Sequence, residues 1–274
     1  MEAFRVLVIV LVACISISQA ASTNPPVQGL FVFGDSALDG GQNTYIPGSK
    51  IVSAIPPYGK TYFSKPTGRW TDGRTIADFL AQALGLPLLP PFLEPGANFS
   101  SGVNFASAGA GLLDETNAHQ GVISMKQQLR QFRNVTNEYK KGKGVEFTNQ
   151  LLRNSVALFS MGANDIANAV PSSFLFQEMI QAYSSAIQLH NDYRDLNIAT
   201  LNPSPIIMNV LRNPEKYGFK EAEKACCGGG PFNAAEFCDD RADDHPSGKT
   251  QAAPSEEQTP SRQRHIPPYS FVLG

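Results

Sequence analysis

The chain has 274 residues, of which 42% are apolar and 17% charged, and its formal net charge at pH 7 is −2. This composition excludes a largely disordered chain and a basic nucleic-acid-binding protein, and the chain is long enough to bury a substantial core. Apolar residues are concentrated before residue 239, whereas residues 239–274 are small, charged and proline-rich. We therefore expect one folded domain over residues 21–238 and a disordered tail over residues 239–274.

The N-terminal segment, residues 1–20, is predicted to be an export signal. Arg5 ends a short basic region, an apolar run follows over residues 6–17, and Ser18-Gln19-Ala20 is a small-x-small cleavage site. A membrane anchor is the alternative, disfavoured because a span needs about 20 apolar residues. We expect cleavage after Ala20 and a secreted, extracellular protein without a stable membrane anchor.

Four short apolar runs alternate with segments of helical spacing. The runs predict strands at residues 30–33, 103–106, 156–159 and 198–201. Helices are predicted between them and, after the last run, over residues 206–211. Alternating strands and helices predict an α/β fold, in which a parallel sheet is covered on both faces.

Apolar residues at helical spacing define the three helices between the strands. The first helix has Thr75 as a candidate cap and Gly85 as a stop signal, and its period is set by Ile76, Phe79, Leu80, Ala83 and Leu84. The second has one apolar face, formed by Met125, Leu129, Phe132 and Tyr139. The third follows the spacing of Phe176, Ile180, Tyr183 and Ile187.

Small, hydrogen-bonding residues follow each of the first three strands, at residues 34–36, 107–111 and 161–165. Ligands of parallel α/β sheets bind beyond the carboxyl ends of the strands, so these turns are predicted to form one site. A serine directly after a buried strand, such as Ser36, can be an exposed nucleophile. Its position alone also fits a capping serine, and no G-x-S-x-G sequence surrounds it.

Export would place the mature chain in an oxidising and glycosylating compartment. Removal of the signal also removes Cys14 and leaves three disulfide candidates, Cys226, Cys227 and Cys238. A zinc site formed by these cysteines and His245 is the alternative, disfavoured because adjacent cysteines are poorly placed to bind one ion. Two sequons make Asn98 and Asn134 glycosylation candidates.

The three strand-end turns resemble the conserved blocks of the GDSL esterase/lipase family, whose members are SGNH hydrolases. Residues 31–36, followed by Asp39 and Gly41, resemble the first block; residues 104–111 resemble the second block of the plant branch; residues 159–165 resemble the third, the G-x-N-D block. Residues 213–219 and 225–228 are also similar to the plant branch. The resemblance covers roughly residues 29–240 and implies a three-layer, flavodoxin-like sandwich with a parallel sheet.

The resemblance also implies roles for individual residues. Ser36 matches the nucleophile, and the oxyanion hole would be formed by the backbone N–H groups of Ser36 and Gly109 and the side-chain amide of Asn164. No metal or cofactor would be needed, and the substrate would be a small-molecule, lipid or glycan ester. For a member of the plant branch, a monomer in the cell wall or apoplast is expected.

The chain departs from the family pattern in two blocks. One is the block of the serine, and the other is the block of the aspartate and histidine that act as acid and base. Ala37 follows the serine, where the family usually has leucine. His245 resembles the base histidine, but Ala242 occupies the position three residues before it, where the family has an aspartate. Asp243 is the candidate acid, although i,i+2 neighbours do not share a helical face. The other histidines, as alternative bases, are His119, His190 and His265.

A block of the family pattern is missing after Ile187. Relatives continue there into another strand, a fourth conserved block with a cysteine, and a long helix, whereas this chain passes directly to the run at Ile198. We therefore predict that the sheet lacks one strand, which would move the last strand and the histidine loop inward by about 4.8 Å. Two functions follow: a secreted serine ester hydrolase that uses an acyl-enzyme, or a catalytically impaired relative that acts as a secreted ligand-binding glycoprotein.

Overall fold

A computed structural model of the chain describes residues 26–51, 53–169, 172–193, 196–198, 204–220 and 224. The strands are β1 (Gly29–Gly34), β2 (Gly102–Asn104), β3 (Ser155–Ser160) and β4 (Asn197–Ile198). The helices are α1 (Ile76–Ala83), α2 (Met125–Lys143), α3 (Val145–Arg153), α4 (Ala163–Ala167), α5 (Ser173–Asp192) and α6 (Ser204–Arg212). Three short 3₁₀ turns cover Gln42–Tyr45, Ala118–Gln120 and Pro214–Tyr217. The predicted signal and the predicted tail lie outside the described residues.

All four strands are parallel and their order in the sheet is β2-β1-β3-β4. The longest pairing joins β1 to β3, from Gly29 opposite Ser155 to Gly34 opposite Ser160. This is the flavodoxin-like order, in which the direction of winding reverses between β1 and β3. The predicted parallel α/β fold is confirmed, and the part of the chain that the structure describes contributes no fifth strand.

Side chains of β1 alternate between two apolar layers, one on each face of the sheet. Phe31 and Phe33 point to the α2 side, where Phe31 packs edge-to-face on Phe132 with ring centroids 5.1 Å apart. Leu30 and Val32 point to the α1 side, in a cluster with Leu38 and alanines of α1. Burying one such side chain contributes about 1.5–3 kcal/mol, so β1 is anchored from both sides. The sheet is thus the middle layer of a three-layer sandwich.

Helix α1 begins where the capping signal predicts, but only part of its predicted apolar face packs inward, since Leu80 and Leu84 lie partly buried against the core. Thr75 and Asp78 form a reciprocal capping box. Ile76 and Phe79 are 53% and 38% exposed. The inward face consists of Ala77, Asp78 and Ala81. Asp78 turns inward because its carboxylate pairs with the buried guanidinium of Arg69, at 2.7 and 2.9 Å.

The faces of α2 and α5 differ in how well the helical spacing describes them. In α2, Met125, Leu129 and Phe132 are buried as predicted. In α5 the predicted helix is present, but the buried residues are Leu175 and Met179. The residues that set its period, Phe176, Ile180 and Tyr183, are 44%, 67% and 37% exposed. Helix α5 therefore has a second apolar face that the described residues leave uncovered.

Candidate active site

Ser36 lies two residues beyond the end of β1 and is half-buried. The turn around it is closed by its neighbours: the N–H of Ala37 donates to the Asp35 carboxylate at 3.1 Å. The N–H groups of Leu38 and Asp39 donate to the Asp35 carbonyl oxygen at 3.1 and 3.0 Å. The winding direction reverses between β1 and β3, and flavodoxin-like sheets bind ligands at this point, beyond the carboxyl ends of the strands. Ser36 lies there.

Asp39 joins the loop after β1 to the loop after β2. It is fully buried, and one carboxylate oxygen accepts hydrogen bonds from the N–H groups of Gly41 and Gln42, each at 2.7 Å. The other oxygen accepts from the N–H of Ala108 at 2.9 Å. Burial raises the pKa of Asp39 to about 6, against the opposing effects of these hydrogen bonds and of the Arg69 charge.

Two buried asparagines and a serine reinforce the same junction. Asn104 Nδ2 donates to the Leu38 carbonyl at 2.7 Å and so joins β2 to the loop after β1. Asn43 Nδ2 donates to the Ala108 carbonyl at 2.9 Å, and Asn43 Oδ1 accepts from the Ser107 hydroxyl at 2.5 Å. Buried polar networks with satisfied partners hold one arrangement, so the first two loops are fixed relative to each other.

Gly109 occupies a backbone position that a larger residue would strain. Its φ is 79°, in the region that favours glycine, and an added Cβ would lie 2.4 Å from Ile51 Cδ1. Ile51 belongs to a small buried cluster with Tyr58 and Trp70 beneath this loop. The Gly109 carbonyl also accepts from Asn117 Nδ2 at 2.8 Å. Packing and hydrogen bonds therefore fix the peptide groups of Gly109.

The loop after β3 is tied to the loop after β2 through Asn164 and Asp165. Asn164 Nδ2 donates to the Ala110 carbonyl at 2.9 Å. The buried Asp165 carboxylate accepts from the N–H groups of residues 112 and 113, at 2.9 and 3.0 Å, and from the Thr116 hydroxyl at 2.7 Å. The G-x-N-D turn thus clamps the segment that directly follows Gly109.

Asp35 connects the first and third loops electrostatically. Burial raises its pKa to about 6; its hydrogen bonds from Ala37 and its own backbone N–H oppose the rise, and the negative charge of Asp165 adds to it. Hydrogen bonds join the first loop to the second, from Ala108 to Asp39, and the third to the second, from Asn164 to Ala110. The three strand-end loops therefore meet at one edge of the sheet, as the sequence predicts.

The predicted site residues fall into two groups. Ser36, Gly109 and Asn164 lie on the three loops that these hydrogen bonds join. The predicted acid–base residues and disulfide candidates lie outside the described residues: His245, Asp243, Cys226, Cys227 and Cys238. His265 and the side chain of His190 are also outside them. His119 is exposed on the 3₁₀ turn Ala118–Gln120.

Three smaller predictions also fall on described residues. Asn98 and Asn134, the glycosylation candidates, are both exposed. Leu38 is buried in the α1-side core, whereas Ala37 is half-buried, so the leucine one position later packs beneath the loop. Among the described residues, no cluster of His, Cys, Asp and Glu could hold a metal ion, and no helix is long and apolar enough to cross a bilayer.

Sequence reasoning missed Gln128, a fully buried polar residue of α2 that bonds to the end of β1. The signal was present in the spacing. Position 128 lies on the same helical face as Met125, Leu129 and Phe132, so a glutamine there is predicted to enter the core. A buried glutamine needs hydrogen-bond partners, which marks it as a residue with a specific contact.

Comparison with known proteins agrees with this geometry. The family model for GDSL-like Lipase/Acylhydrolase matches residues 30–216. The chain belongs to this family. A GDSL lipase of Tanacetum cinerariifolium is 33% identical to it, over 85% of this chain and 79% of the relative. GDSL esterase/lipase 5 and GDSL esterase/lipase 1 of Arabidopsis thaliana are 33% and 31% identical, each over 77% of this chain, and over 72% and 75% of the relatives.

Membership assigns this GDSL-family chain to the carboxylic ester hydrolases, with ester substrates. One of the alignments also bears on the missing block. The alignment with the Tanacetum protein extends over 291 positions, more than the 274 residues of the chain. It therefore includes positions where the relative has residues and this chain has none, which is the pattern an internal deletion produces.

Proposed function

We propose that this GDSL-family ester hydrolase is secreted and cleaves acyl esters through an acyl-enzyme on Ser36. The observation that carries the proposal is that side-chain hydrogen bonds join the loops of Ser36, Gly109 and Asn164 at the carboxyl ends of β1, β2 and β3. Preorganised groups lower an activation barrier because they need no rearrangement during the reaction. Loops without such bonds would not hold donors and nucleophile in one place.

The proposed reaction has two steps. Ser36 Oγ attacks the ester carbonyl carbon while His245 takes the hydroxyl proton, and a tetrahedral intermediate forms. The intermediate breaks its bond to the alcohol oxygen, which leaves with the proton from His245. Water, deprotonated by the same histidine, then attacks the acyl carbon of the acyl-enzyme. The second tetrahedral intermediate breaks its bond to Ser36 Oγ, which takes the proton back from His245, and the carboxylic acid leaves.

Negative charge on the carbonyl oxygen would be met by three donors. They are the backbone N–H groups of Ser36 and Gly109 and the side-chain amide of Asn164. One hydrogen of the Asn164 amide is used by the Ala110 carbonyl, which orients the amide. The second hydrogen is the one we assign to the oxyanion. Removal of one such donor typically costs on the order of 10²–10³ in rate.

His245 is the proposed base and Asp243 the proposed orienting acid, on the basis of the sequence match. The acid is out of register, so its support for the histidine is the weakest part of the constellation. In serine proteases, disabling the acid lowers turnover about 10⁴-fold. We propose no metal or cofactor, because a serine, a base and fixed donors suffice for acyl transfer.

Secretion is proposed from the signal-like residues 1–20, and glycosylation from the two sequons. Asn98 is exposed, and its side-chain oxygen accepts from the Ser100 N–H at 2.9 Å, which holds the sequon in a surface turn. Asn134 is exposed on α2. Expression in a glycosylating secretory host tests both: mature protein beginning at Ala21 and a mass loss with a glycosidase are expected. Retention of Met1 would contradict the signal.

The decisive activity test compares purified mature protein with Ser36→Ala in hydrolysis of p-nitrophenyl acetate and p-nitrophenyl butyrate. Ser184→Ala is the matched control, because Ser184 is an exposed serine of α5 whose hydroxyl donates to the Ile180 carbonyl of the same helix. We expect Ser36→Ala to fall to the uncatalysed rate and Ser184→Ala to keep the wild-type rate. Equal rates for wild type and Ser36→Ala would show that Ser36 is not the nucleophile.

A catalytically impaired, ligand-binding relative is the second candidate. It is favoured by Ala242 at the position of the family's acid and by the positions that this chain lacks in the alignment. Such a protein would bind ester analogues at the same three loops without turning them over. Binding of a slowly reacting ester together with a rate equal to that of Ser36→Ala would identify it.

A further inference from the structure

Gln128 is a fully buried amide within an apolar layer. It lies on the core face of α2, 0% exposed, and its neighbours on that face are Met125, Leu129 and Phe132. Burying an amide without partners costs several kcal/mol, so a glutamine persists in such a place only where hydrogen bonds offset the loss of water.

Both ends of the Gln128 amide bond to Gly34, the last residue of β1. Oε1 accepts from the Gly34 N–H at 2.9 Å, and Nε2 donates to the Gly34 carbonyl at 2.9 Å. Nε2 also donates to the Ile123 carbonyl at 2.9 Å. The side chain thus bonds to both backbone groups of the last residue of β1.

Gly34 is held from two other directions as well. Its carbonyl also accepts from the Ser107 N–H, at 3.0 Å, on the loop that leads to Gly109. On the opposite side it pairs in register with Ser160, and an added Cβ would lie 2.6 Å from the Ser160 carbonyl oxygen. Gly34 is therefore the point where β3, the second loop and α2 together fix the chain two residues before Ser36.

We infer that Gln128 is a positioning residue for Ser36, acting through the peptide groups of Gly34. This inference rests on the proposed role of Ser36 as nucleophile. Without the amide, α2 no longer bonds to Gly34 at the end of β1. The Ser36 hydroxyl then moves relative to the proposed oxyanion donors of Gly109 and Asn164. Displacements near 1 Å cost about 10²-fold in rate.

Two variants separate positioning from stability. Gln128→Leu keeps the volume and removes both bonds to Gly34. Gln128→Glu keeps an acceptor for the Gly34 N–H; when protonated it also offers a donor to the Gly34 carbonyl, and when ionised it does not. The matched control is Thr136→Val, also fully buried on α2, whose hydroxyl bonds to Arg133 and Tyr193 instead of β1.

The test is the rate of covalent labelling of Ser36 by a fluorophosphonate, measured below the unfolding temperature of every variant. We expect Gln128→Leu to label about 10–10²-fold more slowly. Its kcat for p-nitrophenyl butyrate falls by the same factor while KM stays unchanged. Thr136→Val lowers the unfolding temperature but labels at the wild-type rate. The labelling rate of Gln128→Glu, divided by that of wild type, falls as pH rises and the glutamate ionises.

Labelling of Gln128→Leu at the wild-type rate would overturn the inference and leave the role of Ser36 intact. If Gln128→Leu does not fold, Gln128→Glu decides, since a ratio to wild type that is independent of pH would equally overturn it. A folded wild-type protein that does not label at all would overturn the proposed function, and this inference with it.

Discussion

Two regions of the molecule differ in how completely the described residues pack around them: the three loops at the carboxyl ends of β1, β2 and β3, and the outer face of α5. At the β1/β3 edge, buried carboxylates and amides join the three loops, as in the bonds of Asp39 to Ala108 and of Asn164 to Ala110. On α5, Leu175 packs into the core, while Phe176 and Ile180 remain exposed. The three loops are therefore held by their own hydrogen bonds, whereas the described residues leave exposed an apolar surface of α5, of the kind that proteins normally cover.

Both regions lie within residues 30–216, which match the family model. The difference between them is therefore one of packing. The three loops are held because their hydrogen bonds run among themselves, as from Ala108 to Asp39 and from Asn164 to Ala110. Helix α5 packs on the core through Leu175 and Met179, and the described residues leave its outer face exposed.

The largest effect is expected from breaking the buried ion pair that anchors the loop after β1. Arg69 pairs with Asp78 and also donates to the Gly40 carbonyl at 3.1 Å. Arg69→Met leaves the Asp78 carboxylate buried without its partner, which costs about 3–5 kcal/mol of unfolding free energy. Lys126→Met, which removes the exposed pair with Asp114, is the control and is expected to cost at most about 1 kcal/mol. Similar losses in urea unfolding for the two variants would contradict the comparison.

The second effect is on turnover. Asn164→Ala removes the donor assigned to the oxyanion and the bond to Ala110, and we expect kcat to fall by about 10²–10³. Asn168→Ala is the control, because Asn168 lies one turn later, is exposed, and donates its side-chain amide to the Asn164 carbonyl. Assays with p-nitrophenyl butyrate measure both. A loss in Asn168→Ala as large as that in Asn164→Ala would show that the helix, and not the amide, matters.

The third effect is a pH dependence of stability from Asp35 and Asp39. Burial raises the pKa of each from 3.8 to about 6, so between these values the folded state holds protons that the unfolded state has lost. Unfolding free energy therefore decreases as pH rises through that window, by up to about 3 kcal/mol for each carboxyl. Urea unfolding from about pH 4 to about pH 7 measures the slope. Asp39→Asn is expected to flatten it, and an unchanged slope would contradict the assignment.

The smallest effect on stability is expected from the outer face of α5, formed by Phe176, Ile180 and Tyr183, which the described residues leave exposed. The Ile180 side chain is already 67% exposed, so Ile180→Ser removes little buried apolar surface. The unfolding free energy should change by less than about 0.5 kcal/mol. Leu175→Ala, on the buried face of the same helix, is expected to cost about 2–5 kcal/mol. If Ile180→Ser is as destabilising as Leu175→Ala, the outer face is covered in solution and the two regions do not differ as described.

Local signals predicted much of the fold. The apolar run of β1 and the cap at Thr75 depend only on neighbouring residues, and both elements form where predicted. The joining of the three loops that carry Ser36, Gly109 and Asn164 also followed from the sequence, because the carboxyl ends of parallel strands lie on the same side of a sheet.

Helix faces were harder to predict because helical periodicity is taken from the apolar residues, so a charged or amide residue on the same face is passed over. Asp78 turns inward only because Arg69, nine residues earlier, reaches it in the fold. Gln128 is buried because Gly34, 94 residues away in sequence, offers it both backbone groups. In α5 the apolar spacing fits two adjacent faces, and spacing alone does not choose between them. Long-range contacts decide these cases.

The most direct test of the central claim is to trap the acyl-enzyme analogue and locate it. Purified mature protein is treated with a fluorophosphonate, digested, and mapped by mass spectrometry. The account predicts one phosphonylated peptide, with the adduct on Ser36, and loss of esterase activity in proportion to labelling. An adduct on another residue, or full inactivation with an unmodified Ser36, would contradict it.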